Sequence, residues 1–202
     1  MNFYCAVYKP FNVLSQFTSQ DGKQTLKDFF DVPVDVYPVG RLDHDSEGLL
    51  ILTNDKKLNQ ALLNPAHEHI REYWVQVDGL ITIEAAEQLQ QGVSISIDGK
   101  KHLSKRCSVS IFHDAPQVPE RNPPVRFRKN IPTSWIKIRL TEGKNRQVRK
   151  MTAVVGFPTL RLIRQSIEDC KLDGLQPGEM RLFTEKEIYQ LLLIKKNQPR
   201  KT

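Results

Sequence analysis

The stretch GRLDHDSEGLLILTND, residues 40–55, decides the fold because it places an acidic loop directly before a buried strand. Leu49–Thr53 is apolar without alternation, which predicts a short strand that is covered on both faces. Three acidic residues stand at alternate positions in front of this strand, namely Asp43, Asp45 and Glu47. The stretch therefore predicts an acidic loop at the mouth of a buried strand.

Three kinds of acidic loop fit this pattern to different degrees. A calcium loop requires a bidentate glutamate where Asn54 stands and a ligand where Ile51 stands, so the match is poor. A metal-dependent phosphoryl-transfer site needs further carboxylates or a histidine, and spacing alone assigns none. A cap on the following turn fits Asp45 and Ser46 and is the role that we predict for them. Asp43, close behind an arginine in a basic chain, is instead placed to be ionised near a polyanion.

The charge of the chain is concentrated in one segment. The whole chain carries +7, but residues 121–164 hold twelve basic residues and one acidic residue, Glu142, so this segment carries +11 and the remainder −4. A basic zone on an otherwise acidic body is typical of a protein that binds a polyanion, although a solvated surface is the plainer alternative. The lopsided distribution favours nucleic acid.

Hydrophobic patterns outside the opening stretch alternate irregularly between strands and helices. Strands are predicted at Phe3–Tyr8, Arg71–Val77, Val93–Ile97, Cys107–Phe112, Ser134–Leu140 and Thr159–Ile167. Helices are predicted at Thr25–Phe30, Lys56–Leu63, Thr82–Gln91, Lys144–Val155 and Glu185–Ile194. Several strands look hairpin-connected, so the pattern favours an α+β fold over a parallel array.

The second distinctive motif is EGKNRQVRKM, residues 142–151. Its Gly-Lys pair lacks the upstream glycine and the following serine or threonine of a phosphate-binding loop, so nucleotide hydrolysis is not supported. Helical spacing places Arg146, Arg149 and Lys150 on one face, opposite an apolar face. This basic face either binds phosphates or is merely solvated.

A basic loop is predicted between the two halves of the chain. Residues 114–133 contain five prolines, which is typical of an irregular connection. Arg126, Arg128 and Lys129 lie inside it, and a basic loop beside a sheet is a common way to hold phosphates. A surface linker has the same composition, so the pattern leaves both readings open.

Several classes of protein are excluded by what the sequence lacks. No apolar run approaches the roughly 20 residues of a membrane span, and the start MNFYCAVYKP has no signal-peptide features. Cys5, Cys107 and Cys170 are far apart and form no CxxC, which argues against a disulfide framework or a cysteine zinc site. His67 and His69 are interpreted as surface residues. We expect a cytoplasmic protein without a metal site.

Four motifs together resemble a known family. GRLDHDSEGLLILTND resembles the signature loop of pseudouridine synthases of the RsuA-type family. EYWVQVDG (72–79) is similar to the tyrosine-bearing strand of that family, LTEGKNRQVRKMTAVVGFPTLRLIR (140–164) to its C-terminal motif, and YKPFNVLSQF (8–17) to its opening motif. The stretch RNPPVRFRKNIPTSW (121–135) and the ending of the C-terminal motif are most similar to the RluE branch, which modifies large-subunit ribosomal RNA.

The resemblance implies a fold and a set of roles. The fold would be a mixed, mostly antiparallel sheet in two lobes with flanking helices and a cleft between them. One catalytic domain would span residues 1–195, without the S4-type module that many relatives carry, followed by a disordered tail, 196–202. Asp43 would be the catalytic aspartate, Tyr73 the base-stacking tyrosine, and Arg149 the arginine that pairs with Asp43.

The implied reaction turns a specific uridine of ribosomal RNA into pseudouridine and requires no cofactor or metal. The target base has to leave its stack to reach the carboxylate. We expect a monomer that binds an RNA stem-loop through basic residues around the pocket. These are Arg41, Arg126, Arg128, Lys129, Lys144, Arg146, Lys150, Arg161 and Arg164. The alternatives are a non-catalytic RNA-binding assembly factor and a metal-dependent nuclease.

Overall fold

The computed structural model describes residues 2–125 and 131–194. The strands in these ranges are β1 (Tyr4–Lys9), β2 (Tyr37–Pro38), β3 (Glu47–Thr53), β4 (Arg71–Asp78), β5 (Ser94–Ile97), β6 (Lys100–Leu103), β7 (Ser108–Ile111), β8 (Thr133–Leu140), β9 (Thr159–Ile167), β10 (Cys170–Lys171) and β11 (Met180–Leu182). The helices are α1 (Lys56–Leu63), α2 (Ile83–Gln91), α3 (Gln147–Val154) and α4 (Glu185–Leu191). Short 3₁₀ turns occupy Leu26–Asp28 and Pro65–His67.

One mixed sheet organises the molecule, with the strand order β11-β1-β3-β9-β4-β8-β7. β3 and β9 run parallel, whereas β1, β4, β8 and their neighbours pair antiparallel, so the predicted mixed α+β class is confirmed. At the β3–β9 junction Gly48 stands opposite Arg164. A Cβ at Gly48 would lie 2.4 Å from the Arg164 carbonyl oxygen, so only glycine allows this approach of the two strands.

The core lies on both faces of the sheet. β1 and β3 are buried along their whole length, which explains the unbroken apolar run in β3. Directly after β3, Asp55 caps the start of α1 and accepts hydrogen bonds from the Tyr4 and Tyr189 hydroxyls at 2.9 and 2.8 Å. A second apolar cluster joins β4 and β8 to α2 and to Met151 of α3. None of the helices in the described ranges is long enough to cross a bilayer, the longest having nine residues.

Most predicted elements are confirmed, but the predicted helix Thr25–Phe30 is only a 3₁₀ turn, Leu26–Asp28, and α4 ends at Leu191 instead of Ile194. Two further differences have identifiable reasons. α3 begins at Gln147 instead of Lys144, because Arg146 adopts a left-handed conformation with φ of 52°. The Gln147 side chain then accepts a hydrogen bond from the Lys144 amide at 2.9 Å and closes the turn before the helix. β6 was not predicted, since its sequence KKHL has almost no apolar pattern. The predicted tail, 196–202, lies outside the described residues.

Candidate active site

A cleft of about 800 Å³ lies beside the junction of β3 and β9. Its walls come from the acidic loop before β3, the end of α1, the start of β4 and the turn that precedes α3. Asp43 and Tyr73, predicted from distant parts of the sequence, both line it. The fold therefore brings the two predicted residues to one cavity.

The opening motif holds the acidic loop in place. Residues 43–46 form a tight turn in which the Ser46 amide donates to the Asp43 carbonyl oxygen at 3.0 Å. Just before the turn, the Ser15 hydroxyl donates to the Leu42 carbonyl oxygen at 2.8 Å and accepts from the Leu42 amide at 3.1 Å. Two backbone groups beside Asp43 are thus fixed by one side chain from the opening motif.

Lys9 supports the turn from below. Its ammonium is completely buried and donates to the carbonyl oxygens of Val13 at 2.7 Å, Pro10 at 2.8 Å and, more weakly, His44 at 3.4 Å. Burial lowers the pKa of Lys9 to about 7, although nearby carboxylates oppose this. Lys9 therefore connects the opening motif to the turn that bears Asp43.

Asp43 keeps an open position in the cleft. Its side chain is 33% exposed, and an Arg146 Nη1 atom lies 3.8 Å from its Oδ2 atom. That distance allows an electrostatic attraction but exceeds hydrogen-bond length. Asp43 is therefore an accessible carboxylate that faces a cation without being bound by it.

Asp45, and not Asp43, binds the arginines of the opposite wall. Arg146 donates to both carboxylate oxygens of Asp45, at 2.9 and 2.8 Å. Arg149 donates to the Asp45 carbonyl oxygen, and its Nε atom lies 3.4 Å from Asp45 Oδ2. The predicted capping role of Asp45 is therefore wrong, and so is a direct Arg149–Asp43 pair. The turn directs the Asp45 side chain, and not that of Asp43, at the two guanidinium groups.

Tyr73 lies on β4 directly opposite Arg164 of β9, and both residues line the cleft. Arg164 is buried rather than on the surface. Its Nε atom donates to the Leu49 carbonyl oxygen at 2.7 Å, while its buried Nη2 atom has no hydrogen-bond partner among the described residues. A buried donor of this kind is costly unless something binds it, and here it belongs to the residue that pairs with Tyr73 across the two strands.

Arg161 does not reach the cleft. It is buried, and its Nε atom pairs with Glu47 Oε2 at 2.8 Å while its Nη2 atom donates to the Pro119 carbonyl oxygen at 2.8 Å. Burial raises the pKa of the Glu47 carboxyl, and Arg161 opposes that rise. The burial of Arg161 does not support the prediction that it contacts RNA phosphates, because its Nε and Nη2 atoms already donate to protein acceptors and it does not line the cleft.

The remaining predicted basic residues fall into three groups. Arg41 and Lys144 are exposed and line the cleft, as does Arg146. Lys150 lies on α3 outside the cleft lining. The others lie outside the described residues, namely Arg126, Arg128 and Lys129.

The histidines near α1 do not form a metal site in the described ranges. His69 is buried, which corrects its interpretation as a surface residue, and its Nδ1 atom lies 3.0 Å from Glu168 Oε1. Glu68 between the two histidines pairs with Lys105 at 2.6 Å. Residues 2–125 and 131–194 contain no cluster of three side chains that could ligate a metal ion.

Comparison with known proteins identifies related chains. A family model described as RNA pseudouridylate synthase matches residues 3–154. A protein named Ribosomal large subunit pseudouridine synthase E from Vibrio parahaemolyticus is 52% identical over 171 residues, which cover 85% of this chain and 69% of the relative. A protein of the same name from Xanthomonas axonopodis pv. citri is 50% identical, with coverage of 84% and 87%.

A solved structure titled as a pseudouridylate synthase superposes with a TM-score of 0.75 at 26% identity, covering 95% of this chain and 74% of the other. A structure of an H/ACA ribonucleoprotein bound to a substrate RNA shares the fold with a TM-score of 0.53 at 12% identity, covering 87% and 50%. The resemblance inferred from the four motifs is thereby confirmed. The chain belongs to the RNA pseudouridylate synthase family and is an isomerase of that class.

Proposed function

We propose that this protein converts one specific uridine of large-subunit (23S) ribosomal RNA into pseudouridine, with Asp43 as the catalytic carboxylate. The observation that carries the proposal is the shared cleft, in which an accessible Asp43 and Tyr73 line one cavity of about 800 Å³. The names of the two relatives support ribosomal RNA of the large subunit as the substrate class.

The reaction needs a carboxylate and a nucleotide that has left its stack. The N1–C1′ bond breaks, the base turns over, a C5–C1′ bond forms, and the proton lost from C5 is balanced by one gained at N1. Asp43 acts as nucleophile or base in this sequence. Tyr73 stacks on the extruded base, whose reacting atoms are shielded in a helix.

The surroundings of the two residues favour this chemistry. Arg146 lies 3.8 Å from Asp43, and Arg149 lies beside Asp45, so two guanidinium groups stand close to the acidic turn that bears Asp43. Arg164, which stands opposite Tyr73 on β9, adds a third cation to the lining of the cleft. The pocket therefore combines a negative reacting group with donors for the substrate.

RNA docks on exposed cations at the mouth of the cleft. Arg41, Lys144 and Arg146 line it and can contact phosphates, and Lys150 lies nearby on α3. Contacts from Arg126, Arg128 and Lys129 stay a prediction. We propose that a monomer binds a stem-loop of ribosomal RNA in the cytoplasm.

Mapping of pseudouridine in transcripts of both ribosomal RNAs tests the proposal. The purified protein is incubated separately with large-subunit and small-subunit transcripts, and pseudouridine is located by carbodiimide-dependent primer-extension stops. We expect one modified position in the large-subunit transcript, with the same yield in excess chelator. Binding without modification in either transcript would favour a non-catalytic assembly factor, and chelator-sensitive cleavage would indicate a nuclease.

A further inference from the structure

Glu68 places an exposed negative charge in the lining of the cleft. It lies between α1 and β4, and its side chain is 56% exposed. The other acidic residues of the lining in the described ranges have evident tasks. Asp43 is the reacting group of the proposed function, and the buried Glu142 accepts hydrogen bonds from protein donors. A free carboxylate at Glu68 would repel RNA phosphates, so this position needs a neutralising partner.

Lys105 is that partner. Its Nζ atom lies 2.6 Å from Glu68 Oε1, and the lysine lines the cleft from the segment between β6 and β7. The hydrogen bond to Glu68 and the charge of Glu68 raise the pKa of Lys105, so the ammonium stays protonated. Because the Lys105 side chain is 49% exposed, water screens the pair, and an exposed pair of this kind takes little free energy to open.

The backbone of each residue is held in place while its charged end reaches into solvent. The Lys105 amide donates to Glu142 Oε1 at 2.8 Å, and the same oxygen accepts from Gln147 at the start of α3. Lys105 is thus fixed beside the turn that precedes α3. Glu68 has a left-handed backbone with φ of 50°, which is uncommon for a residue other than glycine. The two walls therefore hold the pair at a defined place in the cleft.

We propose that RNA opens the Glu68–Lys105 pair, with a phosphate of the substrate taking the place of the Glu68 carboxylate on the Lys105 ammonium. The inference rests on the proposed function, since it takes RNA as the ligand of the cleft. Carboxylate and phosphate oxygens both accept hydrogen bonds from an ammonium group, and lysine is a common phosphate-binding residue. Lys105 is therefore an RNA contact in the complex and the partner of Glu68 in the free protein.

A double variant that removes both charges tests the exchange without changing the net charge. In Glu68→Gln with Lys105→Gln, the complex loses the lysine–phosphate contact. We expect the slope of log affinity for a large-subunit transcript against log salt to fall by about 0.7–0.9, the value of one phosphate contact. Binding at low salt should weaken by about threefold or more. If the pair only joins the two walls, both quantities stay at wild-type values, and that result would overturn the proposal.

Glu68→Gln alone should change the affinity in the opposite direction. Without the competing carboxylate, Lys105 meets the phosphate without first leaving an ion pair. The affinity for the same transcript at low salt should therefore rise by about two- to fivefold, the size expected for one exposed pair. An affinity equal to or below that of the wild type would contradict the exchange.

The matched control removes a different ion pair in the same charge-neutral way. Arg139 Nε lies 2.7 Å from Glu72 Oε2 between β8 and β4, and neither residue lines the cleft. Glu72→Gln with Arg139→Gln should leave the affinity for RNA and its salt slope at wild-type values. A fall in slope equal to that of the cleft double variant would show that the effect is not specific to Lys105, and it would overturn the proposal.

Lysine acylation of the wild-type protein, read by mass spectrometry, gives a measurement that needs no variant. A saturating transcript should protect Lys105 from acylation as it protects Lys144, and should leave Lys186 on α4 reactive. A Lys105 that stays reactive in the complex would overturn the exchange. These binding measurements do not depend on pseudouridine formation, so a wild type that binds RNA but modifies no transcript would refute the proposed function alone.

Discussion

Two sets of basic residues that look equivalent in the sequence occupy different environments. The rim cations, Arg41, Lys144 and Arg146, are exposed and line the mouth of the cleft. The floor arginines, Arg161 and Arg164, are buried on β9 and bind protein acceptors, although Arg164 also lines the cleft. Clustering of positive charge in the sequence therefore predicts that the molecule binds a polyanion, but it does not identify which basic residues contact that polyanion.

The position of each set in the sheet explains the difference. Both floor arginines belong to β9, an interior strand that pairs with β3 and β4, so their side chains enter packed surroundings. A buried guanidinium requires acceptors, which Glu47 and the Leu49 carbonyl oxygen provide. The rim cations stand on turns, where side chains stay in solvent.

The largest expected effect on stability comes from breaking the buried ion pair between Arg161 and Glu47. Arg161→Gln leaves the buried Glu47 carboxylate without its ionic partner, and a buried pair that loses one member costs about 3–5 kcal/mol of unfolding free energy. Urea denaturation measures this cost. Arg41→Gln at the rim is the control and should change stability by less than about 0.5 kcal/mol. Equal effects of the two substitutions would erase the distinction between floor and rim.

Lys9 is a third buried cation and lies next to the acidic turn. Its protonation should make the free energy of unfolding depend on pH, with an effect of intermediate size. Its pKa in the folded protein is about 7, below its ordinary value of 10.5, so between these values the unfolded chain binds more protons than the folded one. Stability should therefore rise with pH from about 7 to 9, by at most about 1.4 kcal/mol per pH unit from this group. Below pH 7 both states are protonated and the contribution is constant.

Lys9→Met should remove this rise. Urea denaturation of wild type and variant at pH 6, 7, 8 and 9 gives the comparison, and the difference between the two curves isolates Lys9 from other groups that titrate. A constant difference across the whole range would show that Lys9 does not change protonation on folding in this window.

The smallest effect on stability is expected at the rim. Arg41→Gln combined with Lys144→Gln should lower the slope of log affinity for RNA against log salt by about 1.5, because each lost phosphate contact removes about 0.7–0.9. Unfolding free energy and the single-turnover rate at saturating protein should stay at wild-type values. An unchanged salt slope would place RNA docking on another surface.

Much of the fold was predictable because local patterns and tertiary burial agree. The bounds of α1 and β9 match their predicted ranges, and β4 differs by one residue, since their apolar periodicity also reflects the face that is buried. The candidate site was predicted in its main members, Asp43 and Tyr73, because the motifs that carry them resemble a family.

Three features could not be predicted, for physical reasons. Arg146 takes a left-handed conformation that no local pattern signals in a non-glycine residue, and this shortens α3. The burial of Arg161 depends on Glu47, which is distant in sequence. The role of Asp45 follows from the direction of its side chain in a four-residue turn. The even spacing of Asp43, Asp45 and Glu47 does not distinguish the three carboxylates, and only the fold shows which one binds arginines and which one stays accessible.

The central claim is that the accessible carboxylate of Asp43 performs the isomerisation, and one side-by-side measurement on Asp43→Asn tests it most directly. Tritium release from C5-labelled uridine in a large-subunit transcript reports the reaction, and filter binding of the same RNA reports docking. We predict wild-type affinity together with a rate lowered by about 10³-fold or more. Tritium release near the wild-type rate would contradict the assignment of Asp43.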